Sequence, residues 1–209
     1  MGFSYMKRKT IIITLSVISF MWILHTVSKN FLVDPEFTTF LGNKDATLSN
    51  VNLWKIMIQI HIILAVVALM TGPLGLSKRI RNKRPTIHRW NGRIYILSIL
   101  LNMIPGYYVS FFANGGFLSI IGFLILNTLW LMTTINGYLY IIKKQISQHR
   151  NWMIRSFMLT YANLTIYIVV AISHNALGFD YGIAYNLAVW LSFTFNLIIA
   201  EIIIHKTKI

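Results

Sequence analysis

Two short segments carry the residues best suited to chemistry: HRWNGR at residues 88–93 and HRNWMIR at residues 149–155. Each opens on a His–Arg pair, continues to a Trp, and closes on a second Arg. A neutral imidazole offers one nitrogen lone pair to a metal while its other nitrogen donates a hydrogen bond. A guanidinium grips a carboxylate or phosphate with two parallel hydrogen bonds. Two such imidazoles at one level can hold a haem iron, His88 and His149 serving as axial ligands. Arg89, Arg93, Arg150 and Arg155 would then reach the propionates. A plainer use exists for the same residues. Arg, Lys and Trp at a helix end anchor it in the membrane interface, and a helix N-terminus beside Arg collects lipid phosphate. Anchoring accounts for the Arg and Trp of each copy and leaves the repeated His unexplained.

The elements that position these segments follow from composition. Hydrophobic residues make up 56% of the 209-residue chain and charged residues 11%, and the apolar residues fall in runs of about 20, the length that crosses a bilayer as a helix. The fold class is all-α: a polytopic membrane protein with six transmembrane helices. The spans are expected at Thr10–Thr26, Leu53–Leu76, Arg93–Ala113, Phe117–Ile142, Met153–Asn175 and Gly182–Ile204. Residues 1–52 form an anchor helix and a long loop, and residues 53–209 a five-helix membrane module whose four-helix core is spans two to five. The first span follows MKRK and lacks a small-residue cleavage site, so it reads as an uncleaved anchor. The absence of cysteine excludes disulfides and thiolate metal sites. No Gly-rich phosphate loop, HExxH or GxSxG motif occurs, so the common NTPase and hydrolase designs have no residues to stand on.

The net charge of +14 is explained by where it sits. Basic residues precede span one, crowd between Lys78 and Arg93 and between Lys143 and Arg155, and return in the tail; only Lys29, Lys44 and Lys55 fall on the other face. The positive-inside rule makes the crowded face cytoplasmic, with both termini on it, as expected of a multi-pass protein of a cytoplasmic membrane. That face attracts anionic lipid headgroups, so no nucleic acid partner is needed. The acids Asp34, Glu36, Asp45 and Asp180 fall on the opposite face. Glu201 is the exception, at the level of the motif arginines, and is expected to pair with Arg155 or Arg93 and tie span six to the core.

Both motif copies head helices that run outward, so His88 and His149 share one depth. From His149, steps of three and four residues meet Trp152, Ser156, Thr160, Asn163, Tyr167 and His174. That polar stripe is roughly 37 Å long and is a pathway candidate in a transporter. Span two carries His61, Ala65, Ala68, Gly72 and Gly75 at the same steps. Such a groove either admits a neighbouring helix or makes room for a flat cofactor. His61 lies too deep for easy snorkelling and is a second ligand candidate, a quinone contact, or a neutral His bonded to another helix. His25 and His205 sit at helix ends and read as interfacial.

The segment HIILAVVALMTGPLGLSKRIRNKRPTIHRWNGRIY, the later HRNWMIRSF and the closing NLIIAE resemble an uncharacterised bacterial family of multi-pass membrane proteins, a domain of unknown function. The resemblance covers about residues 55–203 and places His61, Gly72, Pro73, His88, Arg89, Gly92, Arg93, Tyr95, His149, Arg150, Trp152, Met153, Arg155 and Glu201 on the family's signature positions. The family tends to carry an Arg midway along the fifth span, where this chain has Tyr167. In layout the family is distantly similar to transmembrane di-haem cytochromes b, which implies haem b and quinone-linked electron transfer. Two other classes remain open: a non-enzymatic transporter or lipid-binding protein with an Arg-rich cytoplasmic rim, and a structural subunit of a membrane complex. Orientation is directly testable. A fluorescent protein that matures only in the cytoplasm is expected to shine when fused to either terminus, and a periplasm-dependent phosphatase to be silent there; the reverse pattern inverts the topology.

Overall fold

The computed structural model describes residues 2–42, 44 and 48–207, and every regular element among them is a helix. Asp45, expected on the outer face, lies outside the described residues. Helix α1 spans Gly2–Val27 and runs into a π-helical turn, Ser28–Val33; α2 is the short Thr38–Gly42. Then come α3 (Val51–Leu76), α4 (Lys78–Lys83), α5 (Pro85–Ser110) and α6 (Gly116–Ile142). The fifth long segment is divided into α7 (Ile146–Leu159), α8 (Ala162–Val170) and a π-helical turn, Ala171–Ala176, before α9 (Tyr181–Lys206).

Local chemistry sets these boundaries. Asn50 caps α3 by accepting from the Leu53 N–H at 2.9 Å, and Asp180 caps α9 by accepting from Gly182 at 2.8 Å and Ile183 at 3.3 Å. Pro85 stands at the start of α5, where a missing N–H costs nothing. Gly115 and Gly116 turn the chain from α5 to α6 with φ of 82° and 70°, a region that suits glycine.

Among the described residues, five helical stretches are long and apolar enough to cross a bilayer: Lys9–Val33, Val51–Leu76, Gly116–Ile142, Ile146–Ala176 and Tyr181–Lys206. The remaining long helix, α5, has 26 residues, the length of its neighbour α3, but its sequence is far more polar. Its first turns hold His88, Arg89 and Arg93, and its buried face holds Asn91, Tyr95, Ser98 and Asn102. The structure packs α5 between α3 and α6, so that this polar face is turned inward.

Small residues decide which helices touch. A side chain at Gly72 of α3 would begin 2.0 Å from the Phe157 ring of α7, at Gly137 of α6 it would meet Met153 Sδ at 2.5 Å, and at Gly122 it would meet Val189 of α9 at 2.7 Å. The expected four-helix core of spans two to five is therefore too small. Helix α9 enters it, with Ala184, Ala188, Val189 and Ala200 fully buried, because its alanines let α6, α7 and α8 approach closely. Nor is α1 loosely attached. The Tyr161 hydroxyl donates to Leu15 O at 2.8 Å and accepts from Ser19 Oγ at 2.6 Å, both on α1.

The fifth segment is not one straight rod. Thr160 and Tyr161 form a turn between α7 and α8, their N–H groups bonding three residues back to Phe157 and Met158. The expected continuous stripe is divided at this point. Gly72→Ala is expected to lose about 1–3 kcal/mol of stability through overpacking, whereas Gly92→Ala, with nothing within 4 Å of the added carbon, is expected to melt with the wild type. Thermal unfolding in detergent measures both.

Candidate functional site

A basic cavity and an aromatic cavity open within the bundle, toward opposite ends of its helices. The basic cavity, about 470 Å³, forms where the end of α3, α4, the start of α5, the end of α6 and the start of α7 converge. It is lined by His88 and His149 together with Arg81, Arg89, Arg93 and Arg150, and no carboxylate joins them among the described residues. Tyr95 and Phe157 line its far end, roughly 10 Å deeper along their helices.

The two imidazoles predicted to share a level do share this cavity. His149 Nδ1 lies 2.7 Å from Gly137 O. A carbonyl only accepts, so Nδ1 carries the hydrogen and Nε2 keeps its lone pair. His88 Nδ1 is buried without a hydrogen-bond partner. His88 precedes the apolar stretch of α5, and burial first, then the Arg81 charge and the neighbouring His149, hold its pKa below the ordinary imidazole value. It is therefore neutral at pH 7, the state in which a ring nitrogen can bind a metal.

The arginines divide. Arg150 reaches past the cavity to the end of α9, where Nη2 donates to Thr207 O at 2.9 Å. Arg93 lies 5.0 Å above the exposed Trp90 ring, an interfacial arrangement. Arg155 is not in the cavity. Its Nε donates to Glu201 Oε1 at 2.6 Å and its Nη2 to Oε2 at 3.2 Å, while its guanidinium stacks over Trp152 at 4.7 Å. The expected Arg155–Glu201 pair thus forms, and it withdraws Arg155 from the propionate set.

The small residues of α3 mostly serve packing at this level. Phe157 fills the space over Gly72, and Asn91 lies 3.4 Å from the Cβ position of Gly75 while donating to Thr71 O at 2.8 Å. Gly92 is different, because the space above it is open cavity.

The aromatic cavity, about 420 Å³, occupies the other half of the bundle. His61 and Ala65 of α3, Gly106 and Ser110 of α5, Asn127 and Trp130 of α6, and Asn163 and Tyr167 of α8 line it. The segment from Lys29 to Phe40 roofs it. Phe37 and Phe40 both pack on the buried Trp54, Lys55 pairs with Glu36, and the Lys44 ammonium donates to Phe112 O, so this roof is pinned at several points. His61 is thereby separated from the His88–His149 pair. His174 lines neither cavity; its Nδ1 lies 2.7 Å from Phe179 O and its ring meets Tyr181 edge-on.

Between the cavities the Tyr95 hydroxyl lies 2.8 Å from Ser156 Oγ and 3.5 Å from Thr160 Oγ1, and Ser156 in turn 2.7 Å from Thr134. Ser156 and Thr160 of the stripe serve this cluster; Asn163 and Tyr167 serve the aromatic cavity. Sequence reasoning missed several lining residues, Asn127 and Arg81 among them. Asn127 stands inside the apolar run LILNTLW, a visible signal for an intramembrane polar role. Arg81 gave no signal, because only the turn of α4 brings it back over the histidines.

Long apolar helices enclosing polar cavities within the bundle define a multi-pass integral membrane protein. Residues 58–204 match the model of the family described as Predicted membrane protein (DUF2306), and the chain belongs to that family, whose function is unknown. No curated protein and no solved structure matches it. Among the described residues no group of three or more His, Cys, Asp or Glu gathers as a metal site, which leaves the imidazole pair as the arrangement to test. Removing one partner of the half-exposed Arg155–Glu201 pair, by R155Q or E201Q, is expected to cost about 1–2 kcal/mol. The exchange R155E/E201R is expected to recover part of it, and urea or thermal unfolding in micelles reads both changes.

Proposed function

We propose that the protein is a six-span protein of the cytoplasmic membrane that holds an amphipathic, anion-bearing ligand in the basic cavity, and that this ligand is haem b. The observation that carries the reading is the shared cavity of His88 and His149, with Nδ1 of His149 engaged by Gly137 O and no carboxylate among the lining residues. A metal-binding imidazole characteristically donates its other nitrogen to a carbonyl, which fixes ring orientation and raises basicity. His88 supplies the second imidazole, with an orphaned buried nitrogen. His88 and His149 would hold the iron, and Arg89, Arg93 and Arg150 the propionates. Haem, when bound, supplies one-electron exchange. The protein's own part is to keep both imidazoles neutral, to neutralise the carboxylates at the cationic rim, and to wall the ring with Ile96, Ile141 and Met153.

A second reading rests on a different observation: two cavities meet end to end at the Tyr95 hydroxyl cluster. A transporter or lipid-binding protein would receive an anionic group, such as a lipid phosphate, at the basic cavity. Asn163 and Tyr167 would continue its path on the other side.

Purification after expression with haem supplied separates them. The haem reading expects a Soret band, with its reduced-state bands lost or shifted in His88→Ala and His149→Ala. Colourless, well-folded protein that retains a stoichiometric anionic lipid supports the second reading, and a Soret band unchanged in the double variant removes the ligand assignment.

A further inference from the structure

The aromatic cavity contains a polar notch that the proposed use of the basic cavity does not explain. It is built over Gly106, in the middle of the bundle. A Cβ at that position would meet Asn127 Oδ1 at 3.2 Å and His61 Nδ1 at 3.4 Å, so two polar atoms flank one bare Cα. The Asn127 amide has a fixed orientation. Its Nδ2 donates to Gly106 O at 3.2 Å and to Ser110 Oγ at 2.9 Å, and Gly106 O can only accept. Both amide hydrogens are used, and Oδ1 faces the notch as an acceptor. His61 Nδ1 is buried there with no partner at hydrogen-bond distance, and the nearby Asn102 amide of α5, fully buried, is likewise unpaired at both its atoms. A polar atom left unpaired in a membrane interior is costly, which makes this notch a place where a ligand group is wanted.

The walls say what carries that group. Trp54, Phe112, Phe123 and Tyr185 line the same cavity, and its charged lining residues among those described, Lys29 and Asp34, belong to the roof segment, not to the helices that carry the notch. An aromatic ring suits such walls. A formal charge does not, because nothing there would compensate it. Its oxygen must also be able to donate, since Asn127 Oδ1 accepts in either tautomer of His61. A hydroxyl gives its hydrogen to Oδ1 and accepts from Nδ1–H; a carbonyl would face Oδ1 oxygen to oxygen.

We propose that the aromatic cavity binds a membrane-soluble quinol, one phenolic hydroxyl of which seats between His61 and Asn127 over Gly106. The reduced ring is preferred to the quinone because only it carries the required hydrogen. This site lies apart from the basic cavity and does not depend on what occupies that one.

The test uses the full-length protein in lipid nanodiscs with decylubiquinol as the probe, binding being read as a saturable rise in melting temperature. The oxidised decylubiquinone and the doubly O-methylated quinol are the comparison ligands. Wild type is expected to bind the quinol about tenfold more tightly than either, the difference made by one buried hydrogen bond. Asn127→Leu is expected to lose that preference and bind all three alike. His61→Phe keeps a ring in place and is expected to weaken the quinol at least as much. Equal affinity of wild type for the quinol and its methyl ether overturns the proposal, as does an unchanged preference in Asn127→Leu. No saturable binding at all overturns it too, and leaves the notch to water. Should Asn127→Leu fail to fold, a photoreactive azido-quinone decides with wild type alone. Its label is expected on residues 54–65 or 106–113 and to be chased by excess quinol, and unchased label elsewhere overturns the site.

Discussion

Hydrocarbon offers no hydrogen bonds, so a hydroxyl in the middle of a membrane bundle must find its partner within the protein. Ser and Thr reach a carbonyl of their own helix, whereas a phenol holds its hydroxyl too far out and must find its partner on another helix. Tyr95 does this for the whole molecule. Its ring is 2% exposed, and its hydroxyl gathers Ser156 and Thr160 from the fifth segment while Ser156 recruits Thr134 from α6. One phenol thereby fixes the relative positions of α5, α6 and α7. Hydrogen bonds of this kind contribute modestly each, about 0.6 kcal/mol in membrane proteins. The alternative of leaving the Tyr95 and Ser156 hydroxyls unpaired is what makes the arrangement specific, since Thr134 and Thr160 also bond carbonyls of their own segments. The cluster also separates the two cavities, so the element that holds the bundle together is the element that divides it.

The cavities differ because the helices that make them begin and end differently. At the basic end, α5 and α7 both start, and their first turns present His and Arg to a volume walled off by α4. Charge is tolerable there because the arginine heads reach the interface. Toward the other end, Pro105 and Gly106 interrupt the side-chain cover of α5 just where α6 offers Asn127. The polarity that survives at that depth is neutral: an amide, an imidazole and a hydroxyl. A cationic rim selects for an anionic group, and a neutral notch for a hydrogen bond.

Much of this was legible in the chain. The depth of His88 and His149 and the Arg155–Glu201 pair follow from spacing and charge, which are properties that a single helix carries with it. What the chain concealed were relations between helices. Gly72 and Gly92 are alike in sequence, yet one is filled by Phe157 and the other opens on a cavity. Helix α9 looked like an outer tether, but its alanines at 184, 188 and 200 are where the core closes. Arg155 and Arg150 are equivalent by motif and are separated only by where Glu201 and Thr207 happen to lie. Periodicity tells which residues share a face; it does not tell what that face meets.

The break at Thr160–Tyr161 shows why that distinction matters for function. Continued as a single ideal helix, the stripe from His149 to His174 would have been one uninterrupted polar track across the membrane. The turn ends α7 after its serine and threonine have reached Tyr95, and it frees Tyr161 to bond α1 instead. Helix α8 then resumes with Asn163 and Tyr167 facing the aromatic cavity. The chain thus converts one stripe into two separate linings with a hydroxyl cluster between them. The partition leaves each lining to face its own cavity, with arginines around His88 and His149 on one side and the amide of Asn127 beside His61 on the other.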